Sequence, residues 1–388
     1  TYLLVGGIIW IERIFYYVQL RESQEQPWVR LAGILFLVAV FTWPSALFWA
    51  KKKIQKSYAK KSAGRDRPYL PSYSVFLLTA ILLTIIHWKV KPPILLLERF
   101  LPGSGMIEVA LLAIYAGWIT EKMLDPKISS KIKSHIWTLF SVVFFSQFIL
   151  GLAGLEKCLM TGKLHLPIPA MIIAGPISRG RITFMLILFI VTALLVGAAW
   201  CSHLCYIGSW DNLSSRHIRR PNALPKWNQS LRIGIFTAII LAAFLFKLFG
   251  LTSTVGTAVA IAYGIAGVGV MIFISRKNGV MTHCVIYCPI GLAANLIGRL
   301  SPFRIRFKNT CDDCGACRYS CRYDALNEKQ IKKRKPGLTC TLCGDCIPSC
   351  SKEDLKYGFF GLSAGTARTI FLVVIVSLHA VFLGVARI

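Results

Sequence analysis

The sequence predicts an all-α polytopic membrane bundle of eight or nine transmembrane helices, with a small α+β domain inserted before the last helix. Hydrophobic residues make up 55% of the 388 residues, the mean hydropathy is +0.58, and only 16% of the residues are charged. A soluble protein of this length buries its core with far fewer apolar residues. The composition is therefore typical of a membrane protein.

Apolar segments long enough to cross about 30 Å of hydrocarbon recur along the chain. The predicted spans are 31–50, 74–90, 107–124, 136–154, 182–200, 231–250, 255–275 and 369–386. Segment 1–20 is a ninth candidate, but Glu12 and Arg13 would each cost about 2.5–3.5 kcal/mol at the centre of a spanning helix. This segment is predicted either to span the membrane or to lie in its interface. The chain begins with Thr1, which leaves room for residues upstream.

The formal charge of +28 lies in short basic blocks between the apolar runs. A nucleic-acid-binding protein would carry such charge along one face, so this function is excluded. Cytoplasmic loops of membrane proteins carry an excess of Lys and Arg. Strict alternation places 51–67, 126–135, 214–226 and 276–368 on the cytoplasmic side. We expect a multi-pass protein of the bacterial or archaeal cytoplasmic membrane.

Twelve of the thirteen cysteines fall into four spaced groups. Residues 311–321 (CDDCGACRYSC) and 340–350 (CTLCGDCIPSC) both have the spacing C-x2-C-x2-C-x3-C, as in bacterial ferredoxins with two 4Fe–4S clusters. Three close cysteines bind three irons of one cubane, and the fourth reaches the other cluster. The predicted ligands are Cys311, Cys314, Cys317 and Cys350 for cluster 1, and Cys340, Cys343, Cys346 and Cys321 for cluster 2. Zinc usually takes more widely separated pairs, and cytoplasmic thiols stay reduced rather than forming disulfides.

The other two groups are cysteine pairs at the ends of predicted spans. AAWCSHLCYIG (198–208) contains Cys201 and Cys205, and THCVIYCPIG (282–291) contains Cys284 and Cys288. Residues four apart on a helix share a face, so each pair should present two sulfurs together. Three interpretations remain open: a third iron–sulfur centre bound by all four thiols, redox-active dithiols or part of a cofactor or quinone pocket, and packing of the helix ends.

These paired motifs, followed by a two-cluster ferredoxin segment, resemble the NapH/NosR-type membrane ferredoxins over about 180–358. Cys284, Cys288 and Pro289 match the CxxxCP pattern of that family, whereas Tyr206 stands where the first motif would have proline. The resemblance implies a membrane-bound electron-transfer subunit that passes electrons between cytoplasmic-side clusters and the quinone pool or a partner redox subunit. Such a subunit would be the quinol dehydrogenase or quinone reductase component of an oxidoreductase complex. The alternative is a redox factor for assembly or maturation of another metalloenzyme.

The predicted domain organisation follows these motifs. It comprises N-terminal membrane helices (1–181), a membrane core with the two CxxxC motifs (182–300), the cytoplasmic ferredoxin domain (301–358) and a C-terminal transmembrane helix (359–388). The ferredoxin segment has twelve Lys and Arg against seven Asp and Glu from Arg304 to Lys356. Such a charge favours either lipid headgroups or an acidic electron carrier or subunit as its partner. The sequence contains no phosphate-binding loop, dinucleotide fingerprint or catalytic triad pattern, which favours electron transfer over acid–base catalysis.

Overall fold

The computed structural model describes residues 69–90, 92–153, 166–225, 227–251 and 253–385. Segment 1–20, the predicted span 31–50, the basic connection 51–67 and Cys158 lie outside the described residues. Contacts divide the chain into two units, and the unit formed by 64–87 and 93–388 contains all twelve cysteines of the four groups. The description below concerns this unit.

The described residues are mostly helical. The helices are α1 (Tyr69–Lys89), α2 (Leu96–Phe100), α3 (Gly105–Leu124), α4 (Pro126–Leu152), α5 (Met171–Arg179), α6 (Phe184–Val196), α7 (Tyr206–Ser215), α8 (Asn228–Leu248), α9 (Ser253–Gly269), α10 (Arg276–Asn278), α11 (Pro289–Ile297), α12 (Ala316–Ser320), α13 (Glu328–Lys332) and α14 (Ala364–Val385). Short π-helical turns occupy Trp200–Leu204, Val270–Ser275 and His283–Tyr287.

Six of these helical segments are long and apolar enough to cross a membrane. They cover Leu70–Lys89, Pro126–Leu152, Phe184–Leu204, Asn228–Leu248, Thr254–Asn278 and Ala364–Val385. Each corresponds to a span predicted from the sequence, and together they fit a multi-pass membrane protein. The predicted total of eight or nine helices depends partly on residues outside the described ranges and stays a prediction.

Helix α3 covers the predicted span 107–124, but it has three charged residues within that span. It carries Glu108, Glu121 and Lys122, and Glu108 is buried, where its carboxylate accepts a hydrogen bond from the Leu97 amide at 2.8 Å. Helix α4 follows almost directly because Asp125 caps it, accepting a hydrogen bond from the Lys127 amide, while Pro126 occupies its first turn.

The outer surfaces of several spans are apolar. Only 17%, 11% and 17% of the most apolar windows of α1, α8 and the segment 254–278 are buried inside the protein. Large side chains such as Leu77 on α1, Phe244 on α8 and Ile265 on α9 are more than half exposed. An apolar exterior of this extent is what a hydrocarbon environment requires.

The inserted domain lies between α11 and α14. Its only described sheet pairs β1 (Phe303–Phe307) antiparallel with β2 (Leu355–Phe359), in the register Phe303 to Phe359 and Phe307 to Leu355. Strand β2 leads directly into α14, which packs along α3 and against β2. Arg368 on α14 donates hydrogen bonds to the carbonyls of Met123 and Leu124, at the C-terminal end of α3 where a cation is favourable. The domain is thus held to the helical bundle at both of its ends.

Candidate iron–sulfur centres

The eight cysteines of the ferredoxin segment line two separate pockets. Cys311, Cys314, Cys317 and Cys350 surround one pocket with about 350 Å³ of empty space, including its opening to solvent. We call it the cluster 1 site. The cluster 2 site, with about 330 Å³, is lined by Cys321, Cys340, Cys343 and Cys346. The structure therefore brings the cysteines together in the two groups that the ferredoxin spacing predicts, with the fourth cysteine of each motif in the other motif's pocket.

The backbone around both pockets repeats the same unusual conformation. Gly315 and Gly344, directly after the second cysteine of each motif, have positive φ of 73° and 76°. The residues before that cysteine, Asp313 and Leu342, also have positive φ, which costs free energy for a residue with a side chain. This backbone turns the loop tightly around the pocket, and glycine adopts it without a steric cost.

Backbone amides also point at sulfur in matching places. The Ala325 amide donates to Sγ of Cys321, and the Asp354 amide donates to Sγ of Cys350, both at 3.3 Å. Each donor lies four residues after the fourth cysteine of its motif. Hydrogen bonds of this kind stabilise thiolate charge and raise the reduction potential of a bound cluster. The donor set of each pocket therefore fits a 4Fe–4S cluster.

The two CxxxC pairs have the same local structure as each other. Cys201 and Cys284 lie second in their π-helical turns, and Cys205 and Cys288 end those turns with extended backbones of φ −86°, ψ 115° and φ −77°, ψ 120°. The amide of the second cysteine donates to a carbonyl five residues back, Cys205 to Trp200 at 3.1 Å and Cys288 to His283 at 2.7 Å. A new helix, α7 or α11, starts at the next residue.

The prediction that each pair lies along one continuous helical face is therefore wrong in detail. Proline disfavours helical backbone in the residue before it, which explains the extended conformation of Cys288 before Pro289. Cys205 adopts the same conformation although Tyr206 follows it. The first motif thus keeps its shape without the proline. A hydrogen bond from the Trp137 indole to the Cys205 carbonyl, at 2.7 Å, stabilises this turn from α4.

A glycine three residues after the second cysteine permits both turns. A Cβ at Gly208 would lie 2.9 Å from the Cys201 carbonyl oxygen, and a Cβ at Gly291 would collide with the Cys284 carbonyl oxygen. Each helix can approach the turn before it only because these positions carry no side chain. The shared tail of the two motifs, CYIG and CPIG, therefore has a steric cause.

Because of this close approach, substitution of Gly291 should destabilise the protein much more than substitution of a glycine with open space around it. Gly291→Ala should destabilise the protein by about 1–3 kcal/mol, because the clash involves backbone that cannot move freely. Gly234→Ala on α8 is the matched control: nothing lies within 4 Å of its added Cβ, so stability should stay unchanged or rise slightly. Thermal unfolding of the two variants in the same detergent measures the difference. Equal unfolding midpoints would contradict the steric role of Gly291.

The four cysteines of the two pairs converge on one place, which we call the membrane-edge site. All four are at most 9% exposed, and Cys284 lies within electrostatic range of Cys201, Cys205 and Cys288. Asp211 on α7 joins the two halves, because its Oδ2 accepts a hydrogen bond from the Cys284 amide at 2.9 Å. The chain therefore supplies four thiols at one buried site, two from each repeat.

A buried guanidinium faces the same site. Arg232 near the start of α8 is only 2% exposed, and it lies within electrostatic range of Cys201 and Cys288, one cysteine from each pair. No side chain or backbone carbonyl in the described residues accepts a hydrogen bond from any of its three guanidinium nitrogens. A buried cation without hydrogen bonds is costly unless an anion balances it.

Burial keeps these thiols neutral in the absence of iron. It raises the pKa of Cys288 to about 12 and raises that of Cys205 and Cys284 as well. In the ferredoxin domain burial likewise raises the pKa of Cys317 to about 11 and of Cys340 to about 12. Iron binding by these cysteines would therefore release protons.

The three sites share the same donor chemistry. A cubane binds one cysteine at each of its four corners. The donor sets of all three sites consist of four cysteines. They fit 4Fe–4S chemistry.

The membrane-edge site is connected directly to the cluster 2 site. Ser202, next to Cys201, donates a hydrogen bond from Oγ to the Thr341 carbonyl at 2.9 Å, and Thr341 follows Cys340. Tyr323 lies two residues after Cys321. It is 4% exposed, lines the cluster 2 pocket and donates from its hydroxyl to the Cys201 carbonyl at 3.4 Å.

An ion pair fixes the ferredoxin domain to the bundle beside Cys343. Lys133 on α4 is 2% exposed, and its Nζ lies 2.6 Å from Oδ1 of Asp345. Arg216 at the end of α7 lies 3.2 Å from the other carboxylate oxygen of Asp345. All three side chains, Asp345, Lys133 and Arg216, interact electrostatically with the Cys343 thiol.

Sequence reasoning missed Arg232, Tyr323 and the Lys133–Asp345 pair. Arg232 lies at the start of the predicted span 231–250, and Lys133 lies in segment 126–135, which the sequence placed on the cytoplasmic side. The available signal was an isolated charge at the edge of an apolar helix, which membrane proteins retain mainly for function.

Comparison with known proteins agrees with these observations. The family described as "4Fe-4S binding domain" matches residues 180–222 and 260–308, the two segments that contain the CxxxC pairs. The chain is 27% identical over 230 residues to "Putative electron transport protein YccM" of Escherichia coli (strain K12). The aligned region covers 52% of this chain and 59% of that protein. It is 20% identical over 244 residues to the uncharacterized protein MJ0750 of Methanocaldococcus jannaschii, covering 57% of this chain and 92% of that protein. The chain thus spans little more than half the length of the E. coli relative. No solved structure matches it.

The chain thus combines a match to a 4Fe-4S binding family, a relative named for electron transport and six helices that are long and apolar enough to cross a membrane. These findings support the resemblance to membrane ferredoxins that the cysteine motifs predict, and they are consistent with an iron–sulfur electron-transfer role.

Proposed function

We propose that this protein is a membrane-bound electron-transfer subunit with three 4Fe–4S centres, one at the membrane edge and two in the ferredoxin domain. A 4Fe–4S cluster takes up or releases one electron at a time and needs no proton for it. The convergence of four buried thiols and the unpaired Arg232 at the membrane-edge site carries the proposal.

The two other interpretations of the CxxxC pairs fit less well. Redox-active dithiols are partly exposed and have a lowered pKa, whereas these thiols are buried and their pKa is raised at Cys205, Cys284 and Cys288. Simple packing of helix ends does not require the same π-helical turn, the same extended cysteine and the same glycine in both repeats.

The contacts between the sites support a single route. Tyr323 donates a hydrogen bond to the Cys201 carbonyl, and Ser202, the residue after Cys201, donates one to the Thr341 carbonyl beside Cys340. No hydrogen bond among the described residues joins the membrane-edge cysteines to the cluster 1 site. Cluster 2 is therefore the partner of the membrane-edge centre. Cys314 of the cluster 1 site is exposed, unlike every ligand of the cluster 2 site. Cluster 1 is the point of exchange with a soluble carrier or a partner subunit.

The proposed partner on the membrane side is the quinone pool, as the resemblance implies. The ferredoxin domain then faces the cytoplasm, and its basic charge is available for anionic headgroups or for an acidic carrier. The membrane helices supply the apolar surface along which a quinone would diffuse.

Anaerobic mixing of the purified, cluster-loaded protein with a reduced short-chain quinone tests this function. The iron–sulfur absorbance should bleach and the EPR signals of reduced clusters should appear, because the centres accept electrons from quinol. Intact clusters that stay oxidised with several quinols, while dithionite reduces them, would contradict the quinone pool as partner. Loss of metal from another enzyme on deletion, with quinol oxidation unaffected, would favour the maturation role instead.

A further inference from the structure

Arg232 is a buried charged side chain whose position the packing of the helices does not explain. Its side chain is almost fully buried, and all three of its guanidinium nitrogens lack a hydrogen-bond acceptor among the described residues. Arginine is rarely buried in this way, because it stays charged and presents five N–H donors that need partners.

The position of Arg232 relates it to both repeats. Helix α8 packs against the π-helical turn of the second CxxxC pair (283–287) and against α11. A Cβ at Gly291 would lie 3.9 Å from a terminal nitrogen of Arg232. Arg232 lies within electrostatic range of Cys201 of the first pair and of Cys288 of the second. The guanidinium therefore lies beside the membrane-edge site as a whole rather than beside one cysteine.

The negative charge expected at this site is large. Four thiolates on a cubane leave a net charge of about −2 in the oxidised form and about −3 in the reduced form. In a site with little water, one adjacent positive charge stabilises the reduced form more than the oxidised form. Near Cys343 of the cluster 2 site, by contrast, both Lys133 and Arg216 are paired with Asp345.

We propose that Arg232 is the internal counter-ion of the membrane-edge centre, a positioning residue that raises the reduction potential of this centre and leaves the two ferredoxin clusters unchanged. This inference rests on the proposed third centre. It adds what the ligands alone do not give: a cation that makes the centre easier to reduce and so better suited to accept electrons from the membrane.

Redox titration followed by low-temperature EPR tests the inference in the purified, cluster-loaded full chain. Arg232→Gln should lower the midpoint potential of the membrane-edge signal and leave the other two signals in place. Arg232→Lys keeps the charge and should remain close to the wild type. Lys247→Gln is the matched control, because Lys247 lies on the same helix but is exposed at its other end, and its removal should shift no signal.

Each outcome decides the question. A lowered potential in Arg232→Gln, or loss of the centre in Arg232→Gln with retention in Arg232→Lys, supports the counter-ion role. An unchanged potential in Arg232→Gln, or loss of the centre in both variants, overturns it. Absence of a third centre in the wild type is a different result, which refutes the proposed centre before Arg232 is considered.

Discussion

Replacing Cys201, Cys205, Cys284 and Cys288 together by serine should remove about four of about twelve irons per chain and leave the ferredoxin clusters in place. The reason is structural: these four thiols lie within electrostatic range of one another at Cys284, whereas the eight ferredoxin cysteines line two separate pockets. Iron and acid-labile sulfide analysis with low-temperature EPR measures the change, and the missing iron should correspond to one complete EPR signal.

Cys158→Ser is the control for this experiment, because Cys158 is the thirteenth cysteine and belongs to none of the four groups. It should keep the full iron content. The same iron content in the fourfold variant and in the wild type would refute the third centre, and the pairs would then act as packing or as dithiols. Serine is preferred to alanine because it preserves side-chain size and polarity at the four positions.

The second large effect concerns the buried ion pair between the bundle and the ferredoxin domain. Asp345→Asn should destabilise the protein by about 3–5 kcal/mol, because it leaves the charge of Lys133 buried without its counter-charge. The loss should appear as a lower thermal unfolding midpoint and as earlier release of iron from cluster 2, since Asp345 lies between Cys343 and Cys346 in the chain.

An exposed ion pair in the same domain provides the matched control. Glu328 pairs with Arg318 at 3.1 Å, but its side chain is 79% exposed. Surface pairs contribute little, so Glu328→Gln should change stability by less than about 0.5 kcal/mol. The double variant Lys133→Met/Asp345→Leu should recover much of the loss, because it removes both buried charges. An Asp345→Asn protein as stable as Glu328→Gln would show that the pair does not hold the domain.

The two CxxxC motifs of the membrane core share one local structure. The first turn contains WCSHLC and the second HCVIYC, and the two have little in common beyond their cysteines. They nevertheless share the π-helical turn, the extended second cysteine and the glycine three residues later. What the repeat preserves is the placement of two sulfurs and the room that the following helix needs.

The sequence predicted the parts of this protein that depend on local spacing. The grouping of cysteines at the two ferredoxin pockets agrees with the C-x2-C-x2-C-x3-C spacing, which is that of bacterial ferredoxins with two clusters. The six apolar spans follow from length and hydropathy. The bounds differ by up to ten residues, most at α4, where Asp125 and Pro126 start the helix well before the apolar run at Ile136.

The features that sequence reasoning missed depend on contacts between distant segments. Arg232 and Cys201 are 31 positions apart, and Lys133 and Asp345 are 212 apart, so no periodicity relates them. The π-helical geometry of the CxxxC pairs was also not predictable, because spacing by four suggests an α-helical face. Only the tertiary arrangement shows that the second cysteine of each pair lies beyond the turn.

The most direct test of the account is whether electrons from the membrane reach the ferredoxin domain through the membrane-edge site. We would mix the wild type and the fourfold serine variant with a reduced quinone and freeze samples at successive times for EPR. The account predicts that ferredoxin-cluster signals appear in the wild type and are lost or strongly delayed in the variant, although dithionite still reduces those clusters. Equal rates of appearance in the two proteins would contradict the central claim that the four membrane-edge cysteines connect the membrane to the ferredoxin domain.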